Sequence, residues 1–148
     1  MMEFKDEMNL EISRLRPEDA DRAHVNCECF WDMGNPTSAL TSFLADPNCI
    51  LLVAEVEGRP IGQVLGYVLK RWDSKKPMLL LYSIDVAKAH RRKGVGSKLI
   101  REFRRIGEEI GCGTSFVLTT ASNAAAMALY ESAGGTRPNP DDVMFEWE

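Results

Sequence analysis

The chain has 148 residues, of which 45% are hydrophobic and 27% charged, so it has the size and composition of one globular domain and not of a disordered chain. Its net charge of −4 argues against general binding of nucleic acid, because phosphate groups repel an acidic protein. No apolar run approaches the roughly 20 residues of a membrane-spanning helix, and the N-terminus is too acidic for a secretory signal, so we expect a cytoplasmic protein without a membrane partner.

The first half of the chain predicts one strand, two helices and then consecutive strands. We expect a single domain over 1–148, with residues 1–8 as a flexible tail. Alternating apolar and polar residues predict a strand over 10–15, and Pro17, which a first helical turn tolerates, opens a helix that runs to Trp31. The other predicted elements are a short helix opened by Asn35 and Pro36 that stops before Pro47, a strand over 49–56, a strand over 61–72 after a turn with Gly58 and Pro60, and a strand over 78–87, apolar enough to be central and buried on both faces.

The second half predicts an amphipathic helix and a return to strands. Apolar residues recur at helical spacing from Val95 to Ile110, and Gly111 follows as a helix terminator. A strand over 114–121, a helix over 122–134 with Ser122 as its N-cap, and a last strand over 142–147 complete the pattern. The order predicts a mixed α/β (α+β) domain, with antiparallel hairpins first and a strand-helix-strand crossover later.

The sequence RRKGVGSK joins the last of the consecutive strands to the amphipathic helix. The first turn of a helix has unpaired N–H groups and a positive dipole end. Gly94 and Gly96 leave these amides uncovered, and Arg91, Arg92 and Lys93 add full charges. The stretch lacks the remaining residues of a P-loop or of a dinucleotide fingerprint. It predicts a phosphate or pyrophosphate site, the alternative being a solvated basic helix start in which the glycines only make a turn.

The same residues carry a resemblance to a known family. RRKGVG fits the [QR]-x-x-G-x-[GA] signature of the GNAT superfamily of acyl-CoA-dependent N-acetyltransferases, and Asn123 and Tyr130 resemble its N-x6-Y segment. The resemblance extends over 10–147 and is sharpest over 79–134, while 82–106 is similar to the aminoglycoside 3-N-acetyltransferase branch. It implies a GNAT fold, with a central, mostly antiparallel sheet of about six or seven strands and about four flanking helices.

The resemblance implies acetyl-CoA as cosubstrate, with no metal. The backbone of Ile84, Asp85 and Val86 would bind the pantetheine arm like an added strand and polarise the thioester carbonyl. Asn123 would touch the pantetheine, and Tyr130 would lie near the sulfur as a proton donor, against the plainer reading of a core tyrosine. The residues implied to hold the pyrophosphate are Arg91, Arg92, Lys93, Gly94, Val95, Gly96 and Ser97.

The base that accepts the amine proton is less well marked. Relatives of the aminoglycoside branch carry a carboxylate where this chain has Ser83, and strand alternation places Asp85 on the same face as Ser83. Asp85 therefore becomes the candidate base, although a carboxylate that caps a loop or pairs with an arginine fits equally well. Glu28, Asp32 and Glu146 are further carboxylates. The sequence AGG at 133–135 departs from the family, which has a glycine followed by an aromatic residue.

A metal site is not expected. His24, Cys27 and Glu28 share one face of a helix, but such residues are far more often part of a packed core than metal ligands. The four cysteines show no CxxC spacing, which is typical of free thiols.

The sequence as a whole predicts an N-acetyltransferase that moves acetyl from acetyl-CoA to a primary amine by direct attack in a ternary complex. The acceptor is a small molecule or a protein amine, and a homodimer is a common assembly of such domains. The main alternative is a catalytically weak GNAT-fold module that binds coenzyme A as a sensor or partner-binding domain. A remoter one is a nucleotide-binding protein with a phosphate loop.

Overall fold

A computed structural model of the protein describes residues 9–31 and 37–148. The tail predicted over 1–8 and the helix start predicted at Asn35 and Pro36 lie outside the described residues. The chain divides into two compact units, Met1–Leu118 and Thr119–Glu148, and each is described by itself. Within the described ranges, no helix combines the length and apolar character needed to cross a membrane.

The elements follow the predicted order up to the last helix. A single turn of 3-10 helix at Pro17–Asp19 precedes the first α-helix, and another at Lys88–His90 precedes the third. In the first unit the elements are β1 (Leu10–Arg14), α1 (Ala20–Glu28), α2 (Thr37–Ala45), β2 (Cys49–Val56), β3 (Arg59–Leu69), β4 (Met78–Val86), α3 (Val95–Ile110) and β5 (Ser115–Val117), and in the second unit α4 (Ala124–Ser132).

The sheet has five strands in the order β1-β2-β3-β4-β5. Successive strands pair antiparallel as far as β4, and β5 pairs with β4 in parallel after the crossover through α3. This confirms the mixed α+β class. A right-handed crossover helix is the usual way for a chain to return to a parallel neighbour.

Two strand predictions need correction. The strand expected over 114–121 is only three residues long, and the one expected over 142–147 is not formed. Val143, Phe145 and Trp147 are instead 75%, 75% and 88% exposed. An alternating pattern shows that a segment can form a strand, but a strand also needs a neighbour to pair with. The sheet therefore has fewer than the six or seven strands expected.

The hairpin between β2 and β3 is tighter than predicted. Its turn consists of Glu57 and Gly58, both with positive φ (51° and 77°), as in the two-residue turns that match the twist of paired strands. Strand β3 therefore begins at Arg59 and not at 61. Pro60 has no N–H to donate, and the register shifts beside it, between Ala54 and Glu55.

Helices cover both faces of the sheet. On one face, α1 and α2 pack against β2 in an apolar cluster, and the ring of Phe43 lies edge-on to that of Tyr67. On the other face, α3 packs so closely on the sheet that a glycine stands at the contact both in strand β3 and in the helix itself. A methyl group at Gly66 would collide with the ring of Phe103, and one at Gly107 would meet Leu79.

We expect Gly66→Ala to destabilise the protein by about 1–3 kcal/mol, the usual cost of overpacking. The added Cβ would meet the Phe103 ring and lie 2.7 Å from the carbonyl oxygen of Leu80, and neither can give way cheaply. Gly113→Ala is the matched control, because its Cβ would lie 3.3 Å from the Cβ of Lys76, a tight contact that a shift of a few tenths of an ångström relieves. Urea unfolding of both variants measures the difference, and equal midpoints would contradict the predicted packing.

A bulge in β4 changes which face its side chains occupy. Gly66 lies opposite Leu81 and Leu65 lies opposite Ser83, so Tyr82 is the extra residue. Before the bulge, Leu79 faces α3. The strand was expected to be buried on both faces, but Tyr82 is 65% exposed, so only part of β4 is enclosed.

After the bulge, the order of the two faces is reversed. Val86 pairs with Gly62, whose added Cβ would meet Val95 and Leu99, so even-numbered residues now face α3. Ser83 and Asp85 consequently face the layer of α1 and α2.

Candidate active site

The start of α3 has the features of an anion-binding site. Gly94 precedes the helix with φ of 84°, no side chain caps the first turn, and Arg92 also has a positive φ of 62°. The N–H groups of the first turn therefore have no side-chain partner. Apart from Gly94 and its two chain neighbours, no described atom lies within 4 Å of the position where a side chain at Gly94 would begin. The loop thus leaves room for a bulky anion above the positive end of the helix.

The predicted cations surround this helix start. Arg91, Arg92 and Lys93 are all exposed, and so is Lys98 in the first turns of α3. The Nε of Arg91 donates a hydrogen bond of 2.9 Å to the carbonyl oxygen of Val86, which ties the loop to the end of β4. Positive charge is concentrated here although the whole chain is acidic.

Among the residues that the structure describes, none pairs as a strand with the far edge of β4 after the bulge. Strand β5 pairs with β4 only at Leu79, Leu80 and Leu81. The N–H of Ala87 bonds to Ile61, so alternation along the β3–β4 ladder directs the N–H and C=O of Asp85 toward β3 and those of Ile84 and Val86 toward the open edge. An extended ligand could add to this edge as a strand, and Asp85 could contribute its side chain beside it.

The carboxyl group of Asp85 is half-buried, and its Oδ2 has no hydrogen-bond partner among the described residues. Burial raises the pKa of Asp85 above its usual value. The side chains of Gln63 and Trp31 and the charge of Arg91 oppose that rise in pKa. Burial therefore disfavours the ionised form of Asp85, and the surrounding polar and charged groups favour that form.

A cavity of about 340 Å³ lies beside Asp85 in the first unit. It extends from the candidate base to Arg91, the first residue of the basic loop 91–93, which we call the cation loop. The end of α1 forms one wall. The lining residues are Cys29, Phe30, Pro60, Asp85, Val86, Ala87, Lys88 and Arg91.

In the second unit, Asn123 is the N-cap of α4, in place of the predicted Ser122. Its Oδ1 accepts a hydrogen bond of 3.1 Å from the N–H of Ala126. Asn123 is exposed, and Tyr130 is partly buried near the end of the helix. The contact of Asn123 with pantetheine stays a prediction. The cap uses the Oδ1 of Asn123, so its Nδ2 is left for such a contact.

The two glycines after α4 have a structural explanation. Gly134 has φ of 92° and its N–H bonds to the carbonyl of Glu131, while the N–H of Gly135 bonds back to Tyr130 at 2.9 Å. A Cβ at Gly135 would lie 3.0 Å from the same carbonyl oxygen. This is a helix C-cap of the Schellman type, which holds the chain tightly below Tyr130.

The sequence model of the Acetyltransferase (GNAT) family matches residues 12–135, which is most of the chain. The chain belongs to this family. The resemblance seen in the sequence is thus confirmed.

Relatives of known sequence and structure are also acetyltransferases. N-acetyltransferase family 8 member 3 of Mus musculus is 28% identical over 93 residues, 63% of this chain and 41% of that protein. N-acetyltransferase 8 of Homo sapiens is 28% identical over 111 residues, 75% of this chain and 48% of that protein. The chain thus spans less than half the length of these curated relatives.

Solved structures show the same fold. An aminoglycoside acetyltransferase from an uncultured soil metagenomic sample, in complex with sisomicin, superposes with a TM-score of 0.84 at 26% identity over 94% of this chain and 95% of that one. The aminoglycoside N-acetyltransferase AAC(6′)-Iy in complex with CoA gives a TM-score of 0.78 at 19% identity, covering 95% of each chain, which shows the fold alone.

The sequence analysis missed the polar residues below Asp85 in this GNAT domain. Asn26 and Gln63 are 1% and 0% exposed, and the Nδ2 of Asn26 donates to the Oε1 of Gln63 at 2.9 Å. A polar residue inside an otherwise apolar strand was the available signal for Gln63. Cys29 and Phe30 of the cavity had no such signal, because they follow the helix end.

Two of the residues weighed as metal ligands in the sequence, His24 and Glu28, lie beside each other, and the third, Cys27, belongs to the core. The Nε2 of His24 lies 3.4 Å from the Oε2 of Glu28, and Cys27 is fully buried. Over 9–31 and 37–148, His, Cys, Asp and Glu side chains form no group of three or more that could hold an ion.

Proposed function

We propose that the protein is an N-acetyltransferase that moves acetyl from acetyl-CoA to a primary amine in a ternary complex. The observation that carries the proposal is the continuity of the open edge of β4, the cavity at Asp85 and the uncapped start of α3. These three features would accept the acyl arm, the reacting amine and the pyrophosphate in turn. Family membership supports acyl transfer, and the acceptor and the acyl donor are parts of the proposal.

The residues present fit coenzyme A. Its pyrophosphate would lie on the N–H groups from Arg92 to Ser97, where no side-chain cap competes and the space above Gly94 is free, whereas the N–H of Arg91 bonds to the carbonyl of Lys88. The pantetheine arm would pair with the outward N–H and C=O groups of Ile84 and with the N–H of Val86, while the carbonyl of Val86 accepts from Arg91. When bound, acetyl-CoA supplies the acetyl group as an activated thioester.

In the proposed reaction, the neutral amine forms a C–N bond to the acetyl carbon and the C–S bond breaks. The N–H of Val86 points to the open edge and donates to the oxygen on which negative charge develops. Asp85 accepts the proton that the amine loses, directly or through water. The leaving thiolate takes a proton from Tyr130, a role that rests on the family pattern N-x6-Y.

We expect Tyr130→Phe to lower kcat several-fold while the affinity for acetyl-CoA stays the same. The substitution keeps the ring and removes only the proton donor, so it acts in the transition state. Steady-state kinetics with calorimetric binding measures both quantities. A kcat that is unchanged when chemistry limits the rate would make Tyr130 a structural residue.

The acceptor is proposed to be an amine with few positive charges. The related soil enzyme was solved with the aminoglycoside sisomicin, a polyamine. Among the described residues that line the cavity, Asp85 is the one carboxylate, with Lys88 and Arg91 beside it. Such a cavity repels a polycation more than it attracts one, because each additional ammonium group needs its own negative partner.

A panel of amines with detection of free thiol tests the function. The panel should contain aminoglycosides, polyamines, amino acids and a peptide amine, each assayed with acetyl-CoA and with the donor alone. Amine-dependent thiol release with matching acetylated product would support the proposal. Tight binding of coenzyme A with no turnover of any amine would favour the sensor or partner-binding module. Binding of ATP as tight as that of coenzyme A would favour a nucleotide-binding protein.

A further inference from the structure

Three polar side chains form a row below the cavity. Asn26 lies on α1, Gln63 on β3 and Asp85 on β4, and the first two are almost completely buried. The Nδ2 of Asn26 donates to the Oε1 of Gln63 at 2.9 Å. Buried amides are costly unless they are hydrogen-bonded, so a row of this kind needs a reason to be kept inside a core.

The amide nitrogen of Gln63 suggests why these polar side chains are kept. Because Oε1 accepts from Asn26, the Nε2 end remains, and Nε2 has no hydrogen-bond partner among the described residues. Gln63 and Asp85 are direct partners across the β3–β4 ladder, so their side chains are neighbours on one face. The Oδ2 of Asp85 and the Oδ1 of Asn26 are also buried and have no hydrogen-bond partner among the described residues. Of these three atoms, the Gln63 donor and the Asp85 acceptor lie on residues that are paired across the ladder.

We propose that Gln63, fixed in one orientation by Asn26, is a positioning residue that presents its amide N–H to the Asp85 carboxylate and keeps it ionised and directed into the cavity. The inference rests on the proposed function, since it assigns a support to the base of that reaction. Hydrogen bonding to the charged form of a carboxyl group favours that form.

Gln63 acts on Asp85 together with one positive charge and with other uncharged side chains. From α1, the Cys27 thiol faces it, and burial raises the pKa of Cys27 to about 11, so this thiol is neutral at pH 7. Arg91 supplies a positive charge from the loop, and Lys88 and Cys29 line the same cavity. Trp31 acts on the carboxyl group in the same direction as Gln63.

Asn26 acts through Gln63 and not on Asp85. Without the Asn26 donor, the Gln63 amide could rotate by half a turn and turn its oxygen toward the carboxylate, which would disfavour the ionised form. Loss of either residue should therefore raise the pKa of Asp85, and loss of both should raise it no further than loss of Gln63 alone.

Titration of the Asp85 carboxyl group by carbon-13 NMR tests the proposal without any need for activity. The signal is assigned by its loss in Asp85→Asn. We expect Gln63→Met to raise the pKa by about one unit, and Asn26→Leu by less in the same direction. Val64→Ala is the matched control, because Val64 is the fully buried neighbour on β3 whose side chain faces α3. It should lower stability and leave the Asp85 pKa unchanged.

An unchanged pKa in folded Gln63→Met, or an equal shift in Val64→Ala, would overturn the proposal. Should the substitutions prevent folding, the unsubstituted protein still gives an answer: the side-chain N–H signals of Gln63 should shift with the midpoint of the Asp85 titration, and signals that ignore it would overturn the proposal.

The pH profile of kcat/KM in the same variants separates this inference from the proposed function. If the pKa of Asp85 changes and the acid limb of the profile changes with it, the result supports both the role of Gln63 and the role of Asp85 as the base. If the pKa moves and the acid limb does not, Gln63 still positions Asp85, but Asp85 is not the base.

Discussion

Asp85→Asn should lower kcat/KM for amine acetylation by about 100-fold or more, the usual scale for the loss of a general base. In the unsubstituted protein, kcat/KM should fall as the pH drops through the raised pKa of Asp85, because the protonated carboxyl group cannot accept the amine proton. Kinetics from pH 5 to 9, with acetyl-CoA binding measured in parallel, checks both statements. Retained kcat/KM in a variant that still binds acetyl-CoA would exclude Asp85 as the base.

The same substitution should not cost stability. Since folding raises the pKa of Asp85, the folded state binds a proton more tightly than the unfolded state, and stability falls as the pH rises through this range. At neutral pH the ionised Asp85 therefore lowers the free energy of unfolding, and asparagine, which has no charge, removes this destabilisation. A melting temperature equal to or above that of the unsubstituted protein is expected, and a marked fall would show that Asp85 mainly orders the end of β4.

Asp73→Asn is the matched control, with the opposite sign. Asp73 lies in the β3–β4 connection, where its hydrogen bonds with Arg71 lower its pKa to about 2. Its ionised form stabilises the folded state above the unfolded pKa, and this contribution is lost as the pH falls toward 2. The variant should lose a little stability at neutral pH and keep its kcat/KM.

Gly94→Ala should weaken coenzyme A binding at least tenfold, about 1.4 kcal/mol. The new methyl group would occupy the free space above the helix start, where the proposed pyrophosphate lies. The positive φ also strains the backbone at this residue, so binding must be separated from folding.

Gly111→Ala provides that separation. Gly111 flanks the other end of α3, also with a positive φ (105°) and with no atom within 4 Å of its added Cβ. The two variants should lose similar stability, and only Gly94→Ala should lose affinity in calorimetry. Equal affinities for coenzyme A in the two folded variants would show that the pyrophosphate does not bind at this loop.

The sequence was sufficient to predict the elements with strong local patterns. Helix α3 occupies the predicted residues because its apolar stripe and the glycines at both ends are local signals. Strand β2 matches as well, because it is apolar and ends at a two-residue turn. The segment 142–147 shows the limit, since pairing depends on a neighbouring strand that alternation along one segment cannot reveal.

In the site, too, the sequence predicted the local feature and missed the one that joins distant residues. The cation loop is contiguous in sequence and was visible there, whereas the row of Asn26, Gln63 and Asp85 joins three elements that only the fold brings together. Simple alternation put Ser83 and Asp85 on one face, which holds because the bulge precedes both residues. It could not show that this face is the one toward α1.

The extra residue in β4 is the point at which this strand can lose one residue without a change in the site. Leu81 lies opposite Gly66 and Ser83 opposite Leu65, so a deletion of Tyr82 would leave a regular ladder in which Ser83 and Asp85 still face the layer of α1 and α2 and Val86 still faces α3. Such a deletion would remove the local bend and added twist of the bulge and leave the pairing intact. Between Ser83 and Val86 every residue has a partner on β3, so a deletion there would shift the register of the site. Among homologous sequences, the loss of one residue should therefore be tolerated at Tyr82 and in the exposed β3–β4 connection, and avoided from Ser83 to Val86.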